Sequence, residues 1–340
     1  KGEGAAYVTR SMALVKLQIS LADFRRLCIL KGVYPRDPKK KNHGSDKTYY
    51  HAKDIKFLLH EPLLQKFFEL NTFMKKFKRL MGRQEQDLAA GLEKRKPKYT
   101  LSHLVRERYP AFDDALRDLD DGVSMLALFQ TLSANQRREI PPEAVNEARR
   151  LYQEFQLYII RAQALRKVFA SVKGYYFQAE IGGQTVTWLA PHQFAQALPQ
   201  EVDFRVMLTF LEFYRALVKF VNFKLYADLG LAYPPQRDAS RDSASAEVAA
   251  LEAEMREAGR AREALKGESE RQDAEVAQGA AADFGGQSEE AAELQRRLAA
   301  SGRMKSAFRG LKVYVGREVP LRPFYFTLLC GGAAEVGWER

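Results

Sequence analysis

Cationic side chains are crowded into three short stretches near the start of the sequence, and clusters of this kind bind anions. The first stretch, 36–41, follows a proline, contains another and precedes a glycine, so it is predicted to be a loop. The second stretch, 75–83, contains five lysines and arginines, and the third, 94–98, contains four. Such residues, mixed with aromatic ones, are typical of surfaces that contact the phosphates of RNA or DNA.

The formal net charge of +11 is unevenly distributed along the 340 residues. Residues 1–98 carry about +13, residues 99–236 are close to neutral, residues 237–304 carry about −5, and the last segment carries about +3. The basic segment 1–98 beside a neutral segment predicts a polyanionic partner. RNA or DNA is favoured over an anionic membrane. Each phosphate contact releases counterions, so binding should weaken steeply as salt rises.

The side chains predicted at an RNA interface come from these stretches and from an amphipathic helix that is predicted from Ser20 to Gly32. They are Arg25, Arg26, Lys31, Arg36, Lys39, Lys40, Lys41, Lys75, Lys76, Lys78, Arg79, Arg83, Lys96 and Lys98. For the stretch 36–41, a solvated loop or a nuclear import signal is the alternative to phosphate contact.

Residues that could perform catalysis are scattered rather than clustered. The histidines at 43, 51, 60, 103 and 192 have no metal-ligand spacing, and there is no phosphate-binding or dinucleotide-binding glycine motif. The acids between Asp118 and Asp121 point in different directions on a helix, which favours a solvated face. We therefore expect no enzyme activity, no cofactor, no metal and no small-molecule substrate. An RNA-processing enzyme is an alternative that requires a convergent cluster of acids.

The cysteines and the hydropathy indicate an intracellular, soluble chain. Cys28 and Cys330 lie far apart, which argues against a disulfide framework, and Cys28 lies among apolar residues as a buried thiol does. No apolar run approaches the roughly 18 to 20 residues of a membrane span. The sequence begins at Lys1 without the pattern of a signal peptide.

The largest element predicted from hydrophobic spacing is one helix over 143–173. Apolar residues recur there every three or four positions, with charged residues on the opposite face. Pro141 and Pro142 mark its start and Gly174 its end. Other helices are predicted from Ser20 to Gly32, from Lys53 to Leu80 with a break at Pro62, and from Pro110 onward.

A second long helix is predicted over Val202–Leu229, where apolar residues surround nearly the whole circumference. This pattern indicates a buried helix, and a share in a protein interface is the alternative. The candidate partner-binding residues are Phe213, Tyr214, Phe220, Phe223 and Tyr226.

Three segments complete the predicted, mainly α architecture. A β-hairpin is expected from Tyr175–Ile181 and Gln184–Leu189 around a Gly-Gly turn, within a helical domain over 1–236. Residues 237–304 have few large apolar side chains and predict an acidic, disordered or transiently helical linker. Residues 305–340 predict a strand, a helix and a second strand, the beginning of an α/β domain that is too short to be complete.

Several long strings resemble the pescadillo homologues. They are LQISLADFRRLCILKGVYP at 17–35, KDIKFLLHEP at 53–62, DDALRDLDD at 113–121, ALRKVF at 164–169 and FVNFKLY at 220–226. The resemblance covers about residues 7–235 and 305–340, and the last segment looks like the first part of a BRCT domain. Gly316-Arg317 offers no Ser or Thr for a phosphate, so phosphopeptide binding is not expected there.

The resemblance implies a non-enzymatic factor of the nucleolus and nucleoplasm that assembles the large ribosomal subunit. Its implied ligands are precursor ribosomal RNA and the pre-large-subunit particle, and its implied role is maturation of the large-subunit and 5.8S RNAs. The implied protein partners are the block-of-proliferation WD-repeat protein and a second WD-repeat protein, which together form the PeBoW complex. A BRCT-based nuclear adaptor in DNA repair or cell-cycle signalling is the alternative.

Overall fold

The computed structural model describes residues 6–39, 47–132, 140–192, 201–235 and 306–338, and it confirms a mainly α fold. The helices are α1 Arg10–Leu17, α2 Leu21–Lys31, α3 Ala52–Leu59, α4 Pro62–Gly82, α5 Gln86–Glu93, α6 Ser102–Arg108, α7 Phe112–Arg117, α8 Leu119–Phe129, α9 Pro142–Ala162, α10 Phe204–Asp228 and α11 Leu321–Cys330. The strands are β1 Tyr7–Thr9, β2 Tyr49–His51, β3 Leu165–Ser171, β4 Gly174–Ile181, β5 Gln184–Pro191, β6 Lys312–Val315 and β7 Glu335–Trp338.

The chain divides into two compact units. The first contains residues 1–111, 133–144 and 198–217, and the second contains residues 112–132, 145–197 and 218–340. The predicted domain boundaries at 236 and 304, and the predicted linker between them, lie outside the described residues. They stay predictions.

The predicted ends of the first helices are confirmed. Ser20 caps α2, because its Oγ accepts the N–H of Asp23 at 3.1 Å, and Gly32 ends the helix in the left-handed region with φ 67°. Pro62 separates α3 from α4 and occupies the first position of α4, where its missing N–H leaves no intrahelical bond unmade. The helix predicted from Pro110 is instead divided into α7 and α8 at Asp118.

The prediction of one helix over 143–173 is wrong in its last third. Helix α9 ends at Ala162, Gln163 takes a left-handed conformation with φ 47°, and the chain continues as strand β3. The apolar spacing in 165–172 fits a helix and a strand equally well over so short a run. Pairing with β4 decides between them, since it satisfies the backbone groups of β3 that face β4.

Strands β3, β4 and β5 form an antiparallel sheet in that order. The predicted hairpin corresponds to β4 and β5, and its Gly182-Gly183 turn is confirmed by the pairing of Ile181 with Gln184. Both glycines have positive φ, as a turn of this type requires. The sheet therefore has one strand more than the sequence predicts.

The core of the second unit is built around Trp188, whose side chain is 1% exposed. Its ring lies 5.3 Å from that of Phe155 on α9 and 5.6 Å from that of Phe177 on β4, while its Nε1–H donates to Tyr152 Oη at 3.2 Å. Phe326 of α11 packs edge-on against Phe177 at 5.1 Å. The C-terminal segment therefore contributes to the core beneath the sheet.

The strand, helix and strand predicted for the C-terminal segment are confirmed. Strands β6 and β7 pair in parallel, with α11 as the connection between them. Cys28 and Cys330 are free and buried. Among the described residues, no helix is both long and apolar enough to cross a membrane.

Candidate nucleic-acid interface

Helix α4 carries the densest group of cations, and its beginning is fixed firmly in the first unit. Leu63, Leu64 and Phe67 are at most 5% exposed, so the first turns are part of the core. After Phe67, no side chain of α4 is fully buried. The second half of the helix therefore presents most of its surface to solvent.

A buried ionic network stands at the start of α4 and includes one of the predicted RNA-binding residues. Lys31 Nζ lies 2.8 Å from Glu61 Oε2 and 2.6 Å from Glu107 Oε2, and its side chain is only 3% exposed. His103 Nε2 lies 2.7 Å from the other oxygen of Glu61. Lys31 holds α2, α4 and α6 together, so we exclude it from the proposed RNA contacts.

The network sets the protonation of the Glu61 carboxyl. Burial alone would raise the pKa of Glu61, because a charged group loses hydration in the interior. Hydrogen bonds and charges from Lys31 and His103 outweigh burial, and the pKa of Glu61 lies below its ordinary value. The carboxylate is therefore the form that the fold favours.

Arg26 is also occupied within the first unit. Its guanidinium lies over the rings of Phe67 and Tyr99, at 5.9 and 5.4 Å from their centroids, and pairs with Glu212. Tyr99 Oη–H donates to the second oxygen of the same carboxylate at 2.7 Å. Arg26 thus stabilises the contact of α2 with α10, and we do not assign it to RNA.

Five cations remain exposed along the second half of α4 and its C-cap, and they form the cationic face. They are Lys75, Lys76, Lys78, Arg79 and Arg83. At 3.6 residues per turn these positions lie within an arc of roughly 160° on one side of the helix. No acidic residue occurs between Glu69 and Glu85.

Three acids of the first unit pair with cations that lie outside the cationic face. Glu69 pairs with Lys66, Glu212 with Arg26, and Glu61 with Lys31. Within the described residues, none of the five cations of the cationic face forms an ion pair. The face therefore carries a positive potential that the structure itself does not neutralise.

Helix α5 folds back onto α4 and leads to two further predicted residues. Gln84 adopts a left-handed conformation with φ 60°, and the N–H of Glu85 donates to the carbonyl of Leu80 at 3.1 Å, which closes the turn. Lys96 and Lys98 follow α5 and are exposed.

The remaining predicted cations lie on α2 and in the loop after it. Arg25 is exposed, and the Arg36 side chain is 61% exposed with its Nε 3.9 Å from Asp54 Oδ2. Lys39 is exposed, whereas Lys40 and Lys41 lie outside the described residues. The structure thus brings five of the predicted residues together on α4 and its C-cap, and it places the other described ones on α2, in the loop after α2 and after α5.

The predicted partner-binding aromatics divide between core and surface. Phe213 and Tyr226 are buried, at 3% and 1% exposure, and Tyr226 Oη–H donates to a backbone carbonyl of α9. Tyr214 and Phe220 are half-buried, and Phe223 is 60% exposed. Phe213 and Tyr226 are therefore core residues, and Phe223 is the member of the group best placed for a partner.

The acids of α8 have a structural role that the sequence did not indicate. Asp120 Oδ1 accepts the N–H of Thr187 on β5 at 2.9 Å, so the prediction of a solvated face is wrong for this residue. Burial raises the pKa of Asp120, the Thr187 N–H lowers it, and Asp121 and Asp118 raise it again, with a net upward shift. No short-range sequence signal connects residues 67 positions apart.

The histidines of the described part of the chain also serve the fold. His51 Nδ1 accepts the N–H of Lys53 at the start of α3, and His192 Nε2 lies 2.9 Å from the Ser171 carbonyl. No group of three or more potential metal ligands converges among the described residues.

The fold and the cationic face define a mainly helical protein with an exposed, uncompensated basic helix. The family description Pescadillo N-terminus matches residues 1–266. The chain belongs to the pescadillo family.

Curated relatives called pescadillo homolog are similar to the chain over much or all of its length. The relative from Chlamydomonas reinhardtii is 53% identical over 74% of this chain and 39% of its own length. The relatives from Arabidopsis thaliana and Nematostella vectensis are 44% and 46% identical over the whole chain, which covers 60% and 67% of their lengths. The chain thus spans between about two fifths and two thirds of these relatives.

Proposed function

We propose that this chain acts, without catalysis, as an assembly factor of the large ribosomal subunit that holds precursor ribosomal RNA on its cationic face. The observation that carries the proposal is the group of five exposed cations on one side of α4 with no acid among them. Such a row matches the regular negative charge of an RNA backbone, which supplies most of the affinity of non-specific binding.

Further cations extend the proposed contact beyond the cationic face. They are Arg25, Arg36, Lys39, Lys40, Lys41, Lys96 and Lys98. A cationic helix supplies affinity but reads little sequence, so the RNA site would be selected by shape and by neighbouring proteins. This division of labour suits a factor that works inside a large particle.

The proposed protein partners are the WD-repeat proteins of the PeBoW complex, and the proposed location is the nucleolus and nucleoplasm. Membership of the pescadillo family supports both statements. Phe223, which is 60% exposed, is the predicted partner-binding aromatic of α10 with the most surface for a protein contact.

The test compares two triple variants with equal changes of charge. In the first, Lys75, Lys76 and Lys78 are changed to Glu on the cationic face. In the second, Lys16, Lys53 and Lys56 are changed to Glu on α1 and α3, where all three are exposed. Binding to fragments of precursor large-subunit RNA, transcribed in vitro, is measured at several salt concentrations.

We expect the first variant to weaken binding by at least about a hundredfold and to reduce the salt slope by roughly two to three, because three phosphate contacts are lost. The control variant should change affinity much less, and both should keep the wild-type far-UV circular dichroism spectrum. Equal losses in the two variants would mean that total charge, rather than the cationic face, governs binding.

A further inference from the structure

One edge of the sheet β3-β4-β5 is closed by a helix. Counting from the two-residue turn 182–183, alternate residues of β5, including Thr187 and Leu189, direct their backbone groups away from β4. The N–H of Thr187 donates to Asp120 Oδ1 at 2.9 Å. The N–H of Leu189 donates to Ser124 Oγ at 3.0 Å. Helix α8 thus satisfies the donors that an open edge would leave unpaired.

The other edge of the sheet, formed by β3, is not covered by any element of the described residues. The same count from the two-residue turn 172–173 shows that Val168 and Ala170 direct their N–H and C=O groups away from β4. Strand β3 is the last in the order of the sheet, and no strand in the described part of the chain pairs with its outer side. Two donors and two acceptors are therefore free to receive another strand.

The inner face of the sheet is also unfinished at β3. Val168 pairs with Phe177, which is 1% exposed, yet Val168 itself is only half-buried. Ala170 pairs with Tyr175 and is exposed. Phe324 of α11, which is 42% exposed, packs against the ring of Tyr175 at 6.2 Å. An apolar side chain placed beside Ala170 would extend the core next to Phe324.

The outer face and the turn show the chemistry that an added strand would meet. Phe169 is 65% exposed and Val172 is 98% exposed, which is unusual for large apolar side chains next to an open edge. Lys167 and Lys173 are exposed, and the segment 165–175 contains no acid. The positive charge favours a segment with acidic residues on this side.

We propose that β3 is a docking edge that receives an extended segment of a partner protein as a fourth, edge strand. The segment would carry apolar side chains toward Ala170 and acidic ones toward Lys167, in alternation. Main-chain hydrogen bonds to Val168 and Ala170 would supply affinity, and the alternating side chains would supply specificity. This site uses no residue of the cationic face, so it does not depend on RNA binding.

The test uses the full chain and a short fluorescent peptide in which glutamate and valine alternate. Binding is followed by fluorescence anisotropy, and amide hydrogen exchange is measured with and without the peptide. We expect the Val168 and Ala170 amides to exchange at least about tenfold more slowly when the peptide is bound, because strand addition gives them acceptors. A peptide with proline at alternate positions should bind at least about tenfold more weakly, because it lacks half of the donors.

Two variants of β3 separate strand addition from general attraction. In Ala170→Pro, an outward N–H is removed while the ladder with β4 keeps its bonds, and edge positions tolerate proline. In Lys167→Glu, the charge beside the edge is reversed and the backbone is unchanged. We expect both to weaken binding of the peptide by at least about tenfold. Lys56→Glu on α3 is the control and should leave affinity unchanged.

Three outcomes would overturn the proposal. The first is binding of the peptide with no change in exchange at Val168 and Ala170, and the second is equal binding by Lys167→Glu and wild type. In the third, the free chain already protects these amides as well as those inside β4, which would mean that another part of this chain occupies the edge.

Discussion

Lys31 shows how a single side chain changes from a candidate ligand contact to a structural residue. Its position after other cations fits an RNA-binding surface, but its ammonium group lies between the carboxylates of Glu61 and Glu107. A buried ion pair contributes little net stability when intact, whereas removing one partner leaves an uncompensated charge. Lys31 should therefore be sensitive to substitution for reasons of stability.

Replacing Lys31 with Met should lower the free energy of unfolding at pH 7 by about 3 kcal/mol, because Glu61 would remain buried without its cation. Urea unfolding followed by circular dichroism measures the change. Lys16→Met, at an exposed position of α1, should change the same quantity by less than about 0.5 kcal/mol. Equal stability of the two variants would show that the ion pair is not maintained in solution.

The lowered pKa of Glu61 predicts a specific dependence of stability on pH. A carboxyl with a lower pKa in the folded chain contributes stability above its unfolded pKa of about 4.3, and this contribution is lost as pH falls through the folded value. As the pH falls from about 5 to about 2, Glu61→Gln should therefore lose less stability than wild type, because glutamine has no charge to lose. Parallel pH profiles of the two proteins would argue against the assignment.

At the scale of the element, side chains of a neighbouring helix can hydrogen-bond to the edge strand of a sheet and close that edge. Asp120 and Ser124 of α8 close the edge at β5, whereas no described strand pairs with the outer side of β3. At Gly174, the first residue of β4, the neighbouring strand leaves no room for a side chain. A Cβ there would lie 2.2 Å from the carbonyl oxygen of Ala190, and its φ is 149°. The sequence pattern predicts a helix end at this glycine, but a close approach of two strands requires it.

Two substitutions of Asp120, one that keeps a hydrogen-bond acceptor and one that removes it, test the contact between α8 and β5. Asp120→Asn keeps an oxygen for the Thr187 N–H and removes the charge that burial and the neighbouring Asp121 disfavour, so it should change stability by less than about 1 kcal/mol. Asp120→Ala should cost about 1 to 3 kcal/mol, because it leaves the N–H without its acceptor. Thermal unfolding at neutral pH compares the two, and an equal loss would mean that the bond contributes nothing.

Gly174→Ala should destabilise the chain by more than about 2 kcal/mol, since the new Cβ must displace backbone and the φ value is strained for an L-residue. Gly91→Ala in helix α5 is the matched control. A Cβ at Gly91 meets nothing within 4 Å, and alanine favours a helix by about 1 kcal/mol, so the control should be neutral or stabilising. Chemical unfolding measures both, and a tolerated Gly174→Ala would contradict the strand contact.

At the scale of the whole molecule, some cations form ion pairs within the fold, and others are exposed and proposed to bind RNA. Glu61, Glu212 and Glu69 of the first unit pair with Lys31, Arg26 and Lys66, and five exposed cations without an ion pair among the described residues lie together on α4 and its C-cap. The net charge of +11 is therefore a poor guide to the binding surface by itself. What matters is which cations the fold leaves uncompensated.

The number of uncompensated cations predicts the salt dependence of the whole chain. The five residues of the cationic face alone predict a slope of roughly −4 for the logarithm of the RNA association constant against the logarithm of salt concentration, and the further proposed cations should make it steeper. Titrations at four or more salt concentrations give this slope. A value near −1 would indicate that RNA contacts few of these cations.

The sequence by itself determined the ends of many elements and the region of positive charge. Ser20, Gly32, Pro62 and the Gly182-Gly183 turn act through local backbone geometry, which neighbouring residues specify. The cationic stretch 75–83 was evident for the same reason, since a run of like charges needs no distant information.

Only the tertiary structure decided between helix and strand at 165–171 and between surface and interior at Lys31. Apolar spacing over seven residues fits both conformations, and strand β4 supplies the hydrogen bonds that select one. Lys31 becomes internal because Glu61 and Glu107, distant in sequence, converge on it. Long-range hydrogen bonds and ion pairs depend on the folded positions of residues far apart in the chain, and a local pattern carries no information about them.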